Sequence, residues 1–165
     1  MFFLLRHSPK TLDCHHIFFK TFSVVAHRPK RYRVKRHHNT PASLSTTLRN
    51  AYKRKLALAY FPNSNLACGI LDVLINEGYI NGFRLQPELK RLTIYLKYSG
   101  HSGLAAVQEI TTVSKPSNRV FKKAHQIRPF MNGLGIYVVK TIRGVKSCKE
   151  CWEKNIGGEV MFSVF

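Results

Sequence analysis

The stretch from Asn132 to Phe165 constrains the fold of this chain more than any other. Ile136-Tyr137-Val138-Val139 runs through Lys140-Thr141-Ile142-Arg143-Gly144 into Val145, and a second β-type run, Val160-Met161-Phe162, follows the pair Gly157-Gly158. Aliphatic and aromatic runs bounded by glycine and polar turns are strand signals. Two such strands side by side hold their loops on one rigid edge. The loops carry Thr141, Arg143, Gly144, Gly157 and Gly158. Glycine is expected to clear the way for a nucleic-acid backbone, while hydroxyl and backbone N–H groups donate hydrogen bonds and arginine binds phosphate.

The charge balance supports a polyanionic partner. Twenty-seven Lys and Arg face 8 Asp and Glu, a formal net charge of +19, in a chain of 165 residues that is 44% apolar. That much apolar content builds a core, and a monomer this basic repels itself unless a polyanion compensates. Nucleic acid is the first expectation and an anionic membrane surface the second. No apolar run approaches the roughly 18 residues of a spanning helix. Four cysteines at irregular spacing do not make a secreted disulfide scaffold.

Taken in order, residues 1–40 stand apart, with nine Lys and Arg against a single acid, Asp13. They read as a mitochondrial presequence, as a retained basic arm carrying the run Arg28-Pro29-Lys30-Arg31-Tyr32-Arg33-Val34-Lys35-Arg36, or as both, with a cleaved start and a retained arm. Thr40-Pro41 then opens a helix, with Thr40 as cap and Leu44, Leu48 and Ala51 as its apolar side. Ser64 offers a second cap. The next helix has the clearest period: Leu66, Ile70 and Leu74 step by four, as do Ala67, Leu71 and Ile75, and Gly78 stops it. A hairpin turns at Gln86-Pro87-Glu88, after which Leu92, Ile94, Leu96 and Tyr98 alternate with Thr93, Tyr95 and Lys97. The polar, glycine-rich Ser99–Gly103 marks a boundary between subdomains of residues 41–98 and 104–165. A β-type run, Val107 to Val113, leads into the cationic turn of Lys115, Arg119, Lys122 and Lys123.

Several of these phrases, taken together, resemble small-subunit ribosomal protein eight in its bacterial and organellar form. Gly133-Leu134-Gly135-Ile136, Thr141, Gly144-Val145 and Gly157-Gly158-Glu159 match that family's carboxy-terminal signature in order and spacing. Leu48-Arg49-Asn50-Ala51, Leu74-Ile75-Asn76-Glu77-Gly78-Tyr79-Ile80, Leu96-Lys97-Tyr98 and Ser114-Lys115-Pro116-Ser117-Asn118-Arg119-Val120 match further along. Lys140 and Ile142 stand where the family has its two serines. The likeness spans roughly residues 41–165 and implies an α+β fold: two helices with a small sheet, then a mainly antiparallel β unit.

The resemblance also implies a function. Such a protein is a structural constituent of the small ribosomal subunit that binds the central domain of its rRNA, beside neighbouring small-subunit proteins and without cofactor, small-molecule substrate or membrane. The implied contacts are Lys140, Thr141, Ile142, Arg143 and Gly144 with Gly158 and Glu159, then Lys115, Pro116, Ser117, Arg119 and Lys122, and thirdly Arg49 with Lys53. Thr141 would donate to the RNA, and Glu159 would either accept from a base amine or hold the glycine turn in shape. A bacterial-type core with a long basic front points to a mitochondrion, with another organelle or a bacterial-type cytoplasm as alternatives. A free RNA-binding translational regulator is the alternative function.

Catalysis and metal binding find little support in the residues. Seven of the eight acids lie after residue 71, with no close pair. Cys148-Lys149-Glu150-Cys151 is a lone C-x-x-C that needs two more ligands for zinc. Gly133-Leu134-Gly135 lacks the third glycine and the following helix of a dinucleotide loop.

Overall fold

A computed structural model describes residues 39–100, 103–128 and 130–165. The basic front up to His38, with Cys14 and the histidine pairs His15-His16 and His37-His38, lies outside the described residues. So do His101 and Ser102 of the expected boundary.

The first half is two helices on a small sheet. Helix α1 (Thr40–Lys53) begins one residue earlier than Thr40 as cap would require. Asn39 is the cap, without a side-chain bond, and Thr40 is already helical, with Pro41 in the first turn where its missing N–H costs nothing. Leu44, Leu48 and Ala51 are buried as the period predicts, joined by Ser45 and Tyr52. Strand β1 (Leu58–Pro62) was not evident as a strand from the sequence. Ser64 then caps helix α2 (Asn65–Asn76), its hydroxyl accepting from Ala67 N at 3.1 Å. The α2 face buries Ala67, Ile70, Leu71, Val73 and Leu74. Beyond it Gly78 takes a positive φ of 79°, the conformation glycine adopts most cheaply at a helix end.

Strands β2 (Ile80–Gln86) and β3 (Arg91–Leu96) form the expected hairpin, and β3 lies centrally in the antiparallel order β1-β3-β2. Leu92, Ile94 and Leu96 point into the core with Ala59, Phe61 and Ile80. Thr93, on the opposite face, is also buried.

The second half is a five-stranded antiparallel sheet. Strand β4 (Ile110–Thr112) is shorter than the apolar run Val107 to Val113. The reason lies at its two ends: Gln108 N and Glu109 N both donate to Phe165 O, and Val113 N and Ser114 N both donate to Met161 O, so the flanking residues leave a regular ladder. Strand β5 (Phe121–Lys122) is a two-residue pairing on β8. Strands β6 (Ile136–Thr141) and β7 (Gly144–Ser147) form a hairpin, and helix α3 (Cys148–Glu153) leads to β8 (Gly158–Val164). The order is β4-β8-β6-β7. Strand β8 is buried from Val160 to Val164, as befits a strand covered on both faces.

The fold is thus α+β, with a helix and small-sheet unit followed by a sheet-rich unit. Buried side chains from both belong to one contiguous core, from Leu44 and Ile70 to Val138 and Phe162. Helix α2 meets β7 closely: a Cβ at Gly69 would lie 3.2 Å from Val145 Cγ2. Arg49 binds α1 to β4, its Nε and Nη2 both donating to Ile110 O. Ser45 and Thr112 share a hydroxyl hydrogen bond at 3.1 Å between the same two elements.

Candidate nucleic-acid interface

The β6–β7 hairpin sets the first edge. Ile142 and Arg143 form its turn with negative φ, and the positive φ, 102°, falls on Gly144. Thr141 is buried, and its hydroxyl serves the turn: it donates to Gly144 O at 2.7 Å and accepts from Arg143 N at 3.2 Å. Its proton is therefore held within the protein, and Thr141 shapes the loop rather than presenting a free donor. Ile142 at the tip is 94% exposed, and Lys140, Arg143 and Gly144 are exposed beside it.

The second edge is the turn after Ser114. Lys115 N donates to Asn118 O at 3.0 Å and Asn118 N to Lys115 O at 3.1 Å, which leaves Pro116 and Ser117 at the tip of a closed two-residue turn. Lys115, Pro116, Ser117, Asn118 and Arg119 are all exposed. Pro at the first corner and a small polar residue at the second suit this turn chemistry.

Glu159 joins the two edges. Its Cα pairs with Lys140 across β6 and with Phe121 across β5. Its carboxylate accepts from Ser114 Oγ and from Arg119 Nη1, the latter at 2.8 Å. Burial alone would raise this carboxyl, but the Ser114 hydroxyl, the Arg119 guanidinium and the nearby Lys140 charge together hold it below the usual carboxylate range. Of the two roles open to Glu159, the geometry supplies a structural one, although it holds the Ser114–Arg119 turn and not the glycines. Ser114, whose buried hydroxyl completes the contact, was not among the expected site residues. Its place before Lys115-Pro116 in the matched phrase was the available signal.

The glycine pair lets strands pack closely. A Cβ on Gly157 would come within 2.7 Å of Lys122 O, and one on Gly158 would overlap Lys140 O and sit 2.9 Å from Val139 Cγ1. The space a side chain would need is filled by the β5 end and β6 of the same protein, so these glycines admit neighbouring strands. Their effect is to draw the two cationic loops together.

What remains is a cationic ridge. Lys115, Arg119, Lys122, Lys123, Lys140 and Arg143 lie on the two turns and the strands beside them, and the one carboxylate here, Glu159, is already bonded to Arg119. Lys122 lies 5.4 Å from the Tyr137 ring centroid, half-buried. Arg49 and Lys53 are elsewhere, on the wall of an open cavity of about 420 Å³ that Tyr52, Leu104 and Val107 also line. Since Arg49 is turned to Ile110 O, Lys53 is the freer cation of the two.

Cys148 and Cys151 are buried on α3, and no group of three or more His, Cys, Asp or Glu side chains able to hold a metal occurs among the described residues. Trp152 is 64% exposed and flanks a shallow cleft with Ile127. No helix among the described residues is long and apolar enough to cross a membrane.

Comparison with known proteins accounts for this arrangement. A family profile described as Ribosomal protein S8 matches residues 39–165. The small ribosomal subunit protein uS8 of Rickettsia bellii (strain OSU 85-389) is 41% identical over 126 residues, 75% of this chain and 95% of that protein. The uS8 proteins of Paramagnetospirillum magneticum, 41% identical over 125 residues (74% of this chain, 93% of that protein), and Aliarcobacter butzleri, 39% over 127 residues (75% and 96%), are similar to the same extent. Near-complete coverage of the relatives, with the two-loop edge inside the matched region, leads to one conclusion: this chain belongs to the ribosomal protein S8 family.

Proposed function

We propose that the protein is a structural constituent of the small ribosomal subunit, and that it binds the central domain of the subunit's rRNA through the Lys115–Arg119 turn and the Lys140–Gly144 hairpin. The observation that carries this reading is the pairing of two cationic loops through Glu159, which binds Arg119 and leaves Lys115 and Arg143 without an ion pair among the described residues. Two rigid turns at fixed separation suit an RNA helix with an irregular internal loop, where base edges and unusual backbone shapes are accessible. Lys115, Arg119, Lys140 and Arg143 answer phosphates, Ile142 and Pro116 supply apolar contact, and Thr141, Gly158 and Glu159 hold the loops in register. The S8 family is structural and non-enzymatic, and no reaction is assigned.

The same reading places the protein among neighbouring small-subunit proteins, supporting assembly in an organellar ribosome, that of a mitochondrion. The support is a core that matches bacterial uS8 proteins from residue 39 onward, beside a basic front with nine Lys and Arg before residue 41. Filter binding of a central-domain rRNA fragment tests the site. The Lys115→Ala/Arg143→Ala pair is expected to lose about 1–3 kcal/mol per specific contact, with a shallower salt dependence. Unchanged affinity would refute the loops as the binding edge. Sedimentation of organelle lysate tests the assembly: a ribosomal constituent travels with the small subunit, and a free regulator stays above it.

A further inference from the structure

The outer face of the β1-β3-β2 sheet is left unused by everything described so far. Strand register places Leu58, Tyr95 and Gly82 in one row across it, Tyr60, Thr93 and Arg84 in the next, and Pro62, Arg91 and Gln86 in a third. Tyr60 is 50% exposed and Tyr95 41%. None of the three strands contains an acid.

Two details of this face point to a ligand with planar rings and negative charge. First, a Cβ at Gly82 would meet nothing within 4 Å. The strand position directly opposite Tyr95 therefore holds no side chain, and that edge of the ring stands open. Second, the Arg91 guanidinium lies 4.4 Å from the Tyr60 centroid, steadied by Nε donating to Gln86 Oε1 at 2.7 Å. Bases stack on guanidinium planes as well as on rings.

We propose that this face is a second RNA site, separate from the cationic loops, which takes unpaired nucleotides by stacking their bases on Tyr95 and on the Tyr60–Arg91 pair. Arg84, exposed on the adjacent strand, and Arg91 answer the phosphates. The choice of RNA over other polyanions rests on the function proposed above. Tyrosine and arginine also favour protein interfaces. Here the missing carboxylates and the open ring of Tyr95 match the arrangement by which sheet surfaces hold single strands, an aromatic platform beside backbone-tracking cations. Stacking is tolerant of sequence because every base has a π-face, so the site is expected to bind without base preference.

The test uses the full chain and a labelled oligouridylate, which has no helix for the loops to recognise. The Tyr60→Leu/Tyr95→Leu variant keeps strand-compatible apolar residues and is expected to lose on the order of tenfold in affinity with little change in salt slope. Gly82→Val, which removes no aromatic and fills the opening beside Tyr95, is expected to weaken binding in the same direction. With 5-iodouridine in the strand, photocrosslinks should map to Tyr95 or Tyr60. Lys115→Ala/Arg143→Ala should bind oligouridylate normally while losing the structured rRNA fragment, so failure of the loop reading is seen separately. Unchanged oligouridylate affinity in both sheet variants, or crosslinks confined to other residues, overturns the proposal. Loss of the tyrosine variant from small-subunit particles without any loss of oligouridylate affinity would mean that the face docks a protein, which also overturns it.

Discussion

The Arg119 guanidinium meets the Glu159 carboxylate at 2.8 Å, and this contact ties the turn after Ser114 to the strand that follows the glycine pair. The carboxylate side chain is only 12% exposed, while that of Arg119 is 42% exposed. The acid is thus the fixed partner, and the arginine can still offer N–H groups outward.

Glu159→Gln is expected to destabilise the fold by about 1–2 kcal/mol, the scale of a charge-assisted hydrogen bond weakened without loss of shape. The pH dependence has a definite sign. Because the folded-state carboxyl is held low, its stabilisation is complete above the unfolded value of about 4.3 and is lost as pH falls through the folded value. Urea denaturation at neutral pH and again near pH 3 should show the wild-type advantage over Glu159→Gln shrinking in acid. An advantage that persisted at the lower pH would mean that the charge contributes nothing.

Three glycines should rank in a fixed order when replaced by alanine. Gly158→Ala forces a Cβ into Lys140 O and should cost about 3 kcal/mol, near the top of the range for overpacking. Gly144→Ala has open space but a φ of 102°, and should cost about 1–2 kcal/mol. Gly82→Ala has neither problem, and alanine there should add about 0.5 kcal/mol of stability by removing glycine's unfolded-state freedom. Denaturation midpoints would reveal any other order.

Arg49 and Lys53 share one helix and should separate by assay. Arg49→Ala leaves Ile110 O short of its donors and should lower stability by about 1–3 kcal/mol. Lys53→Ala should leave stability within about 0.5 kcal/mol. If it touches a phosphate, it should also reduce the salt slope of rRNA binding by about one unit. Thermal melts alongside salt titrations distinguish the two.

The cysteines should react in the order of their surroundings. Burial, with Cys148 and Glu150 adding to it, pushes the Cys151 thiol up to about 11. At pH 8 it is then thiolate to only about one part in a thousand. Cys68, half-buried, also lies above its ordinary value, chiefly by burial and then by the charge of Asp72. Among the three described cysteines, iodoacetamide followed by peptide mapping should modify Cys68 first and reach Cys148 and Cys151 only in denaturant. A chelator should leave the melting temperature unchanged.

What was legible in the sequence was what local chemistry decides. The period of α2, the Ser64 cap, the β2–β3 turn and the two cationic turns each depend on residues a few positions apart. Most of what was not legible was non-local, the Asn39 cap and the Thr141 hydroxyl apart. Strand β1 is a strand because β3 receives it, and nothing in Leu58-Ala59-Tyr60 announces that partner. Gly157 and Gly158 read as room for a ligand, and nothing near them in the sequence shows that segments from two other parts of the chain take the place of their side chains. Arg49, one cation among many in the sequence, is distinguished only by the carbonyl of Ile110. Thr93 follows the alternation of its strand and yet is buried, because its neighbours on the outer face are large.

One consequence follows from the seating of Val145 on α2 beside Gly69. The hairpin carrying Ile142 and Arg143 is braced from behind by a helix that leaves it no slack, since a single methyl group at Gly69 would already press on that valine. If ribosomal RNA docks at the tip, the load passes straight into the helical half of the protein. The hairpin then acts as a fixed template, and the RNA is the partner that must adjust its shape.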